Sequence, residues 1–165
     1  MSHLRLNEIW IYPIKSLGGI RLASSLVMEK GLRYDRRWML VDEHNTFMTQ
    51  RDYPRMALFE VAIHSSQLIV TFDQSIRIPI DFTGAGCVVK TKVWDDDVEV
   101  MEVSQASNEW FSEKLKVRCK LVSFPEENGR AVDVRYNINQ EQVSLADAYP
   151  FLIIGEQSLA DLNVD

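Results

Sequence analysis

The sequence predicts an α+β fold, in which a mainly antiparallel, partly barrel-like β-sheet carries one or two packed helices. Two observations predict this class. Three consecutive runs between residues 57 and 81 alternate apolar and polar side chains, which is typical of antiparallel strands. Two later segments have the apolar spacing of helices. With 165 residues, 46% of them hydrophobic, the chain can build the core of a globular protein.

The first quarter of the chain is predicted to consist of strands and turns. A strand is expected over residues 4–12, ending at Pro13, which cannot donate to a sheet. Gly18–Gly19 is expected to turn the chain, and a second strand follows over residues 20–27. A third apolar stretch, residues 37–41, is also predicted to be a strand.

Alternation with a period of two is clearest in the middle of the chain. Strands are predicted over residues 57–64, 68–72 and 76–81. Pro79 places the last of these at the edge of a sheet. A further hairpin is expected over residues 88–103, turning around Asp95–Asp97.

The last third of the chain contains both predicted helices. Ser104 or Ser107 is expected to cap a helix that runs through Leu115. A second helix is expected to begin near residues 155–158 and has no stop signal before the last residue, so we expect the chain to be cut from something longer. The polar segment 125–139 between the helices is interpreted as a loop or boundary.

Composition excludes several classes of protein. The net charge of −6 argues against a nucleic-acid partner, although residues 1–60 are mildly basic and could host a small anion. We expect a cytoplasmic protein without a membrane association, because no long apolar run or secretory signal occurs. Cys87 and Cys119 fit no metal or disulfide pattern and are expected to be buried or half-buried thiols.

Lys15 and Ser16 form the best local arrangement for binding chemistry. An ammonium, a hydroxyl and the N–H groups of a turn suit a phosphate or another anion, whereas the alternative is a solvated lysine in an ordinary loop. Arg36 and Arg37 follow in the sequence, and the predicted strand sends them to opposite sides, so that at most one shares a pocket with Lys15. Asp35 is a candidate to orient its arginine neighbour.

Other candidate residues carry weaker signals. Arg51 and Arg55 flank a short polar segment and, like the earlier arginines, fit a surface ion-pair cluster as well as an anion site. Asp95–Asp97 is interpreted as a turn and not as a metal site, because the spacing of a calcium loop is absent. No nucleotide-binding glycine motif occurs.

A series of motifs makes the pattern more specific. The segments in question are Leu6–Gly19, Gly31–Asp42, Thr49–Ala57, Val93–Asp96, Trp110–Leu115 and Tyr149–Asn163. In this order they resemble the N-terminal domain of MOSC-family proteins, followed by the entrance to the MOSC domain. The resemblance implies an N-terminal domain over residues 1–124, a connecting segment over 125–145 and the truncated start of a MOSC domain over 146–165.

The resemblance also implies a function. Similar proteins include the mitochondrial amidoxime-reducing component, bacterial reductases of N-hydroxylated bases and molybdenum-cofactor sulfurases. The expected parent is thus an oxidoreductase that binds the molybdenum cofactor (molybdopterin), reduces a small N-hydroxylated substrate and takes electrons from an external donor. The alternatives are a sulfur-transfer or cofactor-carrier protein, and a non-catalytic domain that recognises a substrate or partner.

Individual residues follow from the same resemblance. Lys15, Ser16 and Arg36 match positions that hold the phosphate of the cofactor, and Arg51 and Asp147 fall where they would line or support the same cleft. The family's molybdenum-ligating cysteine is expected downstream of this sequence, and neither cysteine present here matches it. The chain is therefore expected to lack activity, and not to retain the cofactor, by itself.

Overall fold

The computed structural model describes residues 4–74, 76–82 and 86–163. In this part of the chain the strands are β1 (Ile9–Ile11), β2 (Ile20–Leu22), β3 (Val27–Met28), β4 (Gly31–Leu32), β5 (Trp38–Asp42), β6 (Phe59–His64), β7 (Gln67–Phe72), β8 (Ile76–Asp81), β9 (Val88–Val93), β10 (Asp96–Glu102), β11 (Cys119–Ser123), β12 (Arg130–Ala131) and β13 (Gln142–Val143). The α-helices are α1 (Gln105–Leu115) and α2 (Glu156–Leu162), and a 3₁₀ helix spans Pro54–Leu58.

All ladders between these strands are antiparallel. β6, β7 and β8 form one sheet in sequence order, and a second sheet has the order β5-β11-β10-β9. The two-stranded ribbons β1-β2, β3-β4 and β12-β13 complete the arrangement. The α+β prediction is therefore confirmed, as is the edge position of Pro79, because among the described residues β8 pairs only with β7.

The helix α1 closes one side of the main core. Its N-cap is Ser104, whose hydroxyl accepts a hydrogen bond from the Ser107 backbone N–H at 3.1 Å. This confirms the first of the two predicted caps. Phe111 and Leu115 are buried on the face that packs toward β11 and β8, and the Phe111 ring lies 5.3 Å from that of Phe59.

The strand β5 is buried on both faces. Trp38 and Leu40 belong to the core under α1, whereas Met39 and Val41 belong to a second apolar cluster on the opposite side. This explains why the run reads as continuously apolar instead of alternating. Leu145 also lies in the second cluster and is fully buried, so it anchors the segment that follows β13.

Several predicted boundaries are wrong. Residues 57 and 58 belong to the 3₁₀ helix and not to the strand expected over residues 57–64. Asp96 and Asp97 belong to β10, so the hairpin turns at Trp94–Asp95 and not around Asp95–Asp97. The strand expected over residues 4–12 is limited to β1, because exposed residues such as Leu4 and Leu6 precede it without a ladder partner in the described residues. The strand expected over residues 20–27 is divided into β2 and β3, since β3 turns back on β4 instead of continuing beside β1. The segment 125–139 is not entirely loop, because β12 lies in it.

Two further observations concern burial. Cys119 is buried as predicted, but Cys87 is exposed, which contradicts the expectation for that thiol. The second helix, α2, has the predicted start but no buried residue. Within the described ranges the helices are too short or too polar to traverse a lipid bilayer.

Candidate anion-binding site

Lys15 is held in a tight turn between the two apolar clusters. Its backbone N–H donates to the Trp38 carbonyl at 2.7 Å, and the Leu17 N–H closes the turn on the Ile14 carbonyl at 3.1 Å. Ser16 takes a left-handed backbone conformation, with φ of 64°. The turn therefore lies at Lys15–Ser16, earlier than the predicted glycine pair, because buried Ile14 and Leu17 fix its two ends.

The ammonium of Lys15 lies among polar groups and two aromatic rings. Its side chain is only 7% exposed. Nζ donates to the Leu145 carbonyl at 3.0 Å and to the carboxylate of Asp147. The ring centres of Phe47 and Trp94 lie 5.5 and 6.0 Å from Nζ. Because an ammonium has three N–H donors, one donor remains for a ligand.

The electrostatics of Lys15 and Asp147 are linked. Burial lowers the pKa of Lys15, and the charges of Arg130 and Arg36 add to this, while the contact with Asp147 opposes it. Burial acts to raise the pKa of Asp147, but hydrogen bonds from Lys15 and from the Trp94 indole bring it below its usual value. Asp147 is therefore ionised at neutral pH and serves as the counter-ion of Lys15.

Arg36 lies in the turn before β5, and its charge acts on both Lys15 and Asp147. It has a φ of 48°, its guanidinium lies 5.1 Å from the Tyr12 ring centre, and Nη1 donates to Asp35. Asp35 is 3% exposed and also accepts a hydrogen bond from the Tyr12 backbone N–H at 2.7 Å. Arg37 turns away, and its Nε donates to Glu126 at 2.9 Å. The two arginines thus diverge, as predicted, but the cause is the left-handed turn at Arg36 and not strand alternation, because β5 begins only at Trp38.

The remaining predicted residues divide into two groups. Arg51 reaches the site, with its guanidinium 5.8 Å from the Trp94 ring centre. Ser16 lies next to Lys15, and its carbonyl accepts a hydrogen bond from the Gln50 amide at 2.9 Å. Arg55 lies elsewhere, since its Nε donates to the Lys114 carbonyl at 3.0 Å.

Two important neighbours were not singled out as site residues from the sequence. Trp94 sits in the β9–β10 turn with φ of 57°, and its indole N–H donates to Asp147 at 3.1 Å. It belongs to a motif that carried the family resemblance, so a signal existed. Arg130 is 6% exposed and lies in a segment interpreted as a loop, where no local pattern indicated its burial.

The arrangement offers donors of the kind that bind small anions. Lys15 and Arg36 each retain donors that make no hydrogen bond within the described residues, and the same holds for the Ser16 hydroxyl and the Arg51 guanidinium. Ammonium and guanidinium donors of this kind recognise phosphate and carboxylate oxygens.

Comparison with known proteins identifies the family of the chain. A family model described as the MOSC N-terminal beta barrel domain matches residues 3–118. Mitochondrial amidoxime-reducing component 1 of Mus musculus is 28% identical over 167 residues, which cover 94% of this chain and 49% of that protein. Molybdenum cofactor sulfurase of Bombyx mori is 26% identical over 169 residues, covering 96% of this chain and 21% of that protein.

The matches cover only part of the length of these relatives. The chain spans about half of the amidoxime-reducing components and about a fifth of the sulfurases that it matches. A solution structure of a Bordetella bronchiseptica protein aligns with a TM-score of 0.48 at 15% identity, covering 63% of this chain and 90% of that one. Because the family model covers most of the sequence, the chain belongs to the MOSC N-terminal beta barrel domain family.

Proposed function

We propose that this chain is the N-terminal portion of a molybdenum-cofactor-binding oxidoreductase that reduces N-hydroxylated compounds, and that it contributes the site for the cofactor's phosphate. One observation carries the proposal. The side chain of Lys15 is only 7% exposed, and the charges of Arg130 and Arg36 act on it, although burial of charge is costly and an ordinary surface lysine would be solvated. Lys15 and Arg36 each have a carboxylate partner and still keep donors that make no hydrogen bond within the described residues, which suits them to an anionic ligand.

The donor set fits a phosphate group. Lys15 offers its third N–H, Arg36 offers the part of its guanidinium that does not contact Asp35, and Ser16 offers a hydroxyl. Arg51, which is exposed beside Trp94, supplies a further positive charge at the rim. Lys15 and Ser16 are neighbours in the sequence, whereas Arg36 and Arg51 come from other segments, so the site depends on the fold.

Each residue has a distinct role in this proposal. Lys15, Ser16 and Arg36 hold and neutralise the phosphate, and Arg51 attracts it. Asp147 keeps the Lys15 ammonium charged and directed into the pocket, and Trp94 holds Asp147 through its indole N–H. When bound, the cofactor supplies the redox chemistry at its molybdenum, whereas the protein supplies binding and orientation.

The reductase activity is inferred from the amidoxime-reducing components that the chain resembles. A small N-hydroxylated substrate and an external electron donor belong to the same proposal. The similarity to molybdenum cofactor sulfurases favours a second candidate, a sulfur-transfer or cofactor-carrier role. The phosphate site serves either function, so the reduction of an amidoxime by the parent protein distinguishes them.

Cofactor loading of the parent protein tests the site itself. The double variant Lys15→Ala/Arg36→Ala is compared with wild type and with Arg33→Ala, which removes a nearby exposed arginine. Pterin content, measured by fluorescence after oxidation, is expected to fall in the double variant and to stay unchanged in the control. Normal loading of a correctly folded double variant would show that the cofactor is held elsewhere, which favours a domain that recognises a substrate or partner.

A further inference from the structure

Arg130 is a buried arginine, and four of its five N–H donors bond to other groups of the protein. It is 6% exposed. We propose that Arg130 is a positioning residue that joins the segment carrying Asp147 to the hairpin carrying Trp94, so that both side chains meet Lys15. The inference rests on the proposed anion site and adds the element that assembles it.

The guanidinium of Arg130 bonds in two directions. Nη1 donates to the Ser144 carbonyl at 2.8 Å and to the Ala146 carbonyl at 2.9 Å. Nε and Nη2 both donate to Oδ2 of Asp96, at 3.0 and 2.7 Å. Only a planar group with several donors at fixed angles can make this set of contacts at once.

Arg130 links the Ala146 carbonyl to the Asp96 carboxylate, and both of these groups lie next to residues of the site. The Ala146 carbonyl belongs to the peptide bond that precedes Asp147. Asp96 begins β10, two residues after Trp94 in the hairpin turn. The Trp94 indole donates to Asp147 at 3.1 Å, so the contacts form a closed loop that runs through Arg130. A substitution at Asp96 is therefore expected to affect Asp147 in two ways, through the hydrogen bond from Arg130 to the Ala146 carbonyl and through the hydrogen bond from the Trp94 indole.

Other contacts do not replace this link. The Ser144 hydroxyl and the Leu145 N–H bond to backbone carbonyls of residues 35–36, each at 3.1 Å. Those bonds hold the first part of the segment. The Ala146 carbonyl, by contrast, receives a hydrogen bond from Arg130 alone among the residues that the structure describes. The orientation of the following residue thus depends on Arg130.

At Asp96, the loss of negative charge and the loss of the contact with Arg130 have opposite expected effects on anion affinity, so a substitution there distinguishes them. Asp96→Ala removes a negative charge near the site, so charge alone predicts tighter binding of an anion. Loss of the link predicts weaker binding instead. Asp97→Ala is the matched control, because Asp97 lies on the same hairpin, has a side chain that is 82% exposed and pairs with Lys92 at 3.4 Å.

The experiment combines two measurements on this chain. Inorganic phosphate is titrated at low ionic strength, and the tryptophan indole N–H signals are followed by ¹H–¹⁵N NMR. The sequence contains four tryptophans, so the other three signals act as internal references for Trp94. In Asp96→Ala we expect phosphate affinity to fall about tenfold, as for the loss of one charge-assisted hydrogen bond. The variant Asp147→Ala, which lacks the hydrogen bond from the Trp94 indole, serves as a reference. In Asp96→Ala the chemical shift of the Trp94 indole N–H is expected to move toward the value seen in that reference variant.

The outcomes separate the two proposals. Unchanged or tighter phosphate binding in Asp96→Ala, with the Trp94 signal unmoved, overturns the positioning role. The same loss of affinity in Asp97→Ala overturns it as well, because that change leaves the link intact. If wild type binds no phosphate, the anion site is refuted, and the Trp94 signal alone then decides whether Arg130 and Asp96 position Asp147.

Discussion

Replacing Lys15 by methionine separates a functional lysine from a structural one. Methionine has a similar length but no charge, so Lys15→Met removes the ammonium while largely filling its space. The substitution ends the desolvation of a buried charge, which is a gain, but it also leaves Asp147 without its partner, and such a change costs about 3–5 kcal/mol when the remaining charge is buried. Here that cost is small, because the side chain of Asp147 is 71% exposed and stays hydrated.

A second cost opposes the gain. Leu145 is fully buried, and its carbonyl loses the hydrogen bond from Nζ, which costs about 1–3 kcal/mol when the group is left without a partner. The gain and the costs partly cancel, so we expect the free energy of unfolding to change by less than about 2 kcal/mol in either direction.

The pH dependence gives a second signature of the same change. The pKa of Lys15 is lowered by burial, so between that lowered value and 10.5 the unfolded chain binds more protons than the folded one. In this window Lys15 makes stability rise with pH. Lys15→Met is expected to lose this contribution, so its stability should rise less over the alkaline range than that of wild type.

Urea unfolding followed by tryptophan fluorescence measures both effects, at neutral pH and across the alkaline range. The reasoning is wrong if Lys15→Met loses more than about 3 kcal/mol, because a loss of that size belongs to a core residue. It is also wrong if the variant is stable but binds phosphate as tightly as wild type, since the lysine would then have no role in the anion site.

Three further predictions concern the fold and use the same unfolding assay. Phe111→Ala should lose about 3–5 kcal/mol, because the ring is fully buried, and a loss below about 1 kcal/mol would contradict its place in the core. Gly31→Ala should lose about 1–3 kcal/mol, since φ is 107° and a Cβ would lie 2.6 Å from the Pro150 carbonyl oxygen. The control Gly155→Ala, whose Cβ would have its nearest neighbour at 3.8 Å, should change stability little. Ser104→Ala should lose about 1 kcal/mol with the N-cap of α1, and an unchanged midpoint would show that the cap is dispensable.

Features that depend on local pattern could be predicted from the sequence. The alternation over β6, β7 and β8 reflects one buried and one exposed face, and each turn between them is short. The cap of α1 lies three residues from its partner. Lys15 and Arg36 could be predicted as site residues because they lie in motifs of the family. Their positions in space, however, depend on the β-bridge between Ile14 and Trp38.

Features that depend on distant contacts could not be predicted. Arg130 is buried because it meets Asp96 and the Ala146 carbonyl, 34 and 16 residues away. The division between β2 and β3 depends on a ribbon with β4, whose pairing the local sequence did not indicate. The domain boundaries after residues 124 and 145 and the cytoplasmic location stay predictions.

Phosphate binding by this chain tests the central claim most directly. Inorganic phosphate is titrated against wild type, Arg36→Gln and the control Arg33→Gln at low ionic strength, with folding checked by circular dichroism. The account predicts saturable binding by wild type and by Arg33→Gln, and a loss of about tenfold or more in Arg36→Gln. Equal binding by all three proteins, or no saturable binding by wild type, would contradict it.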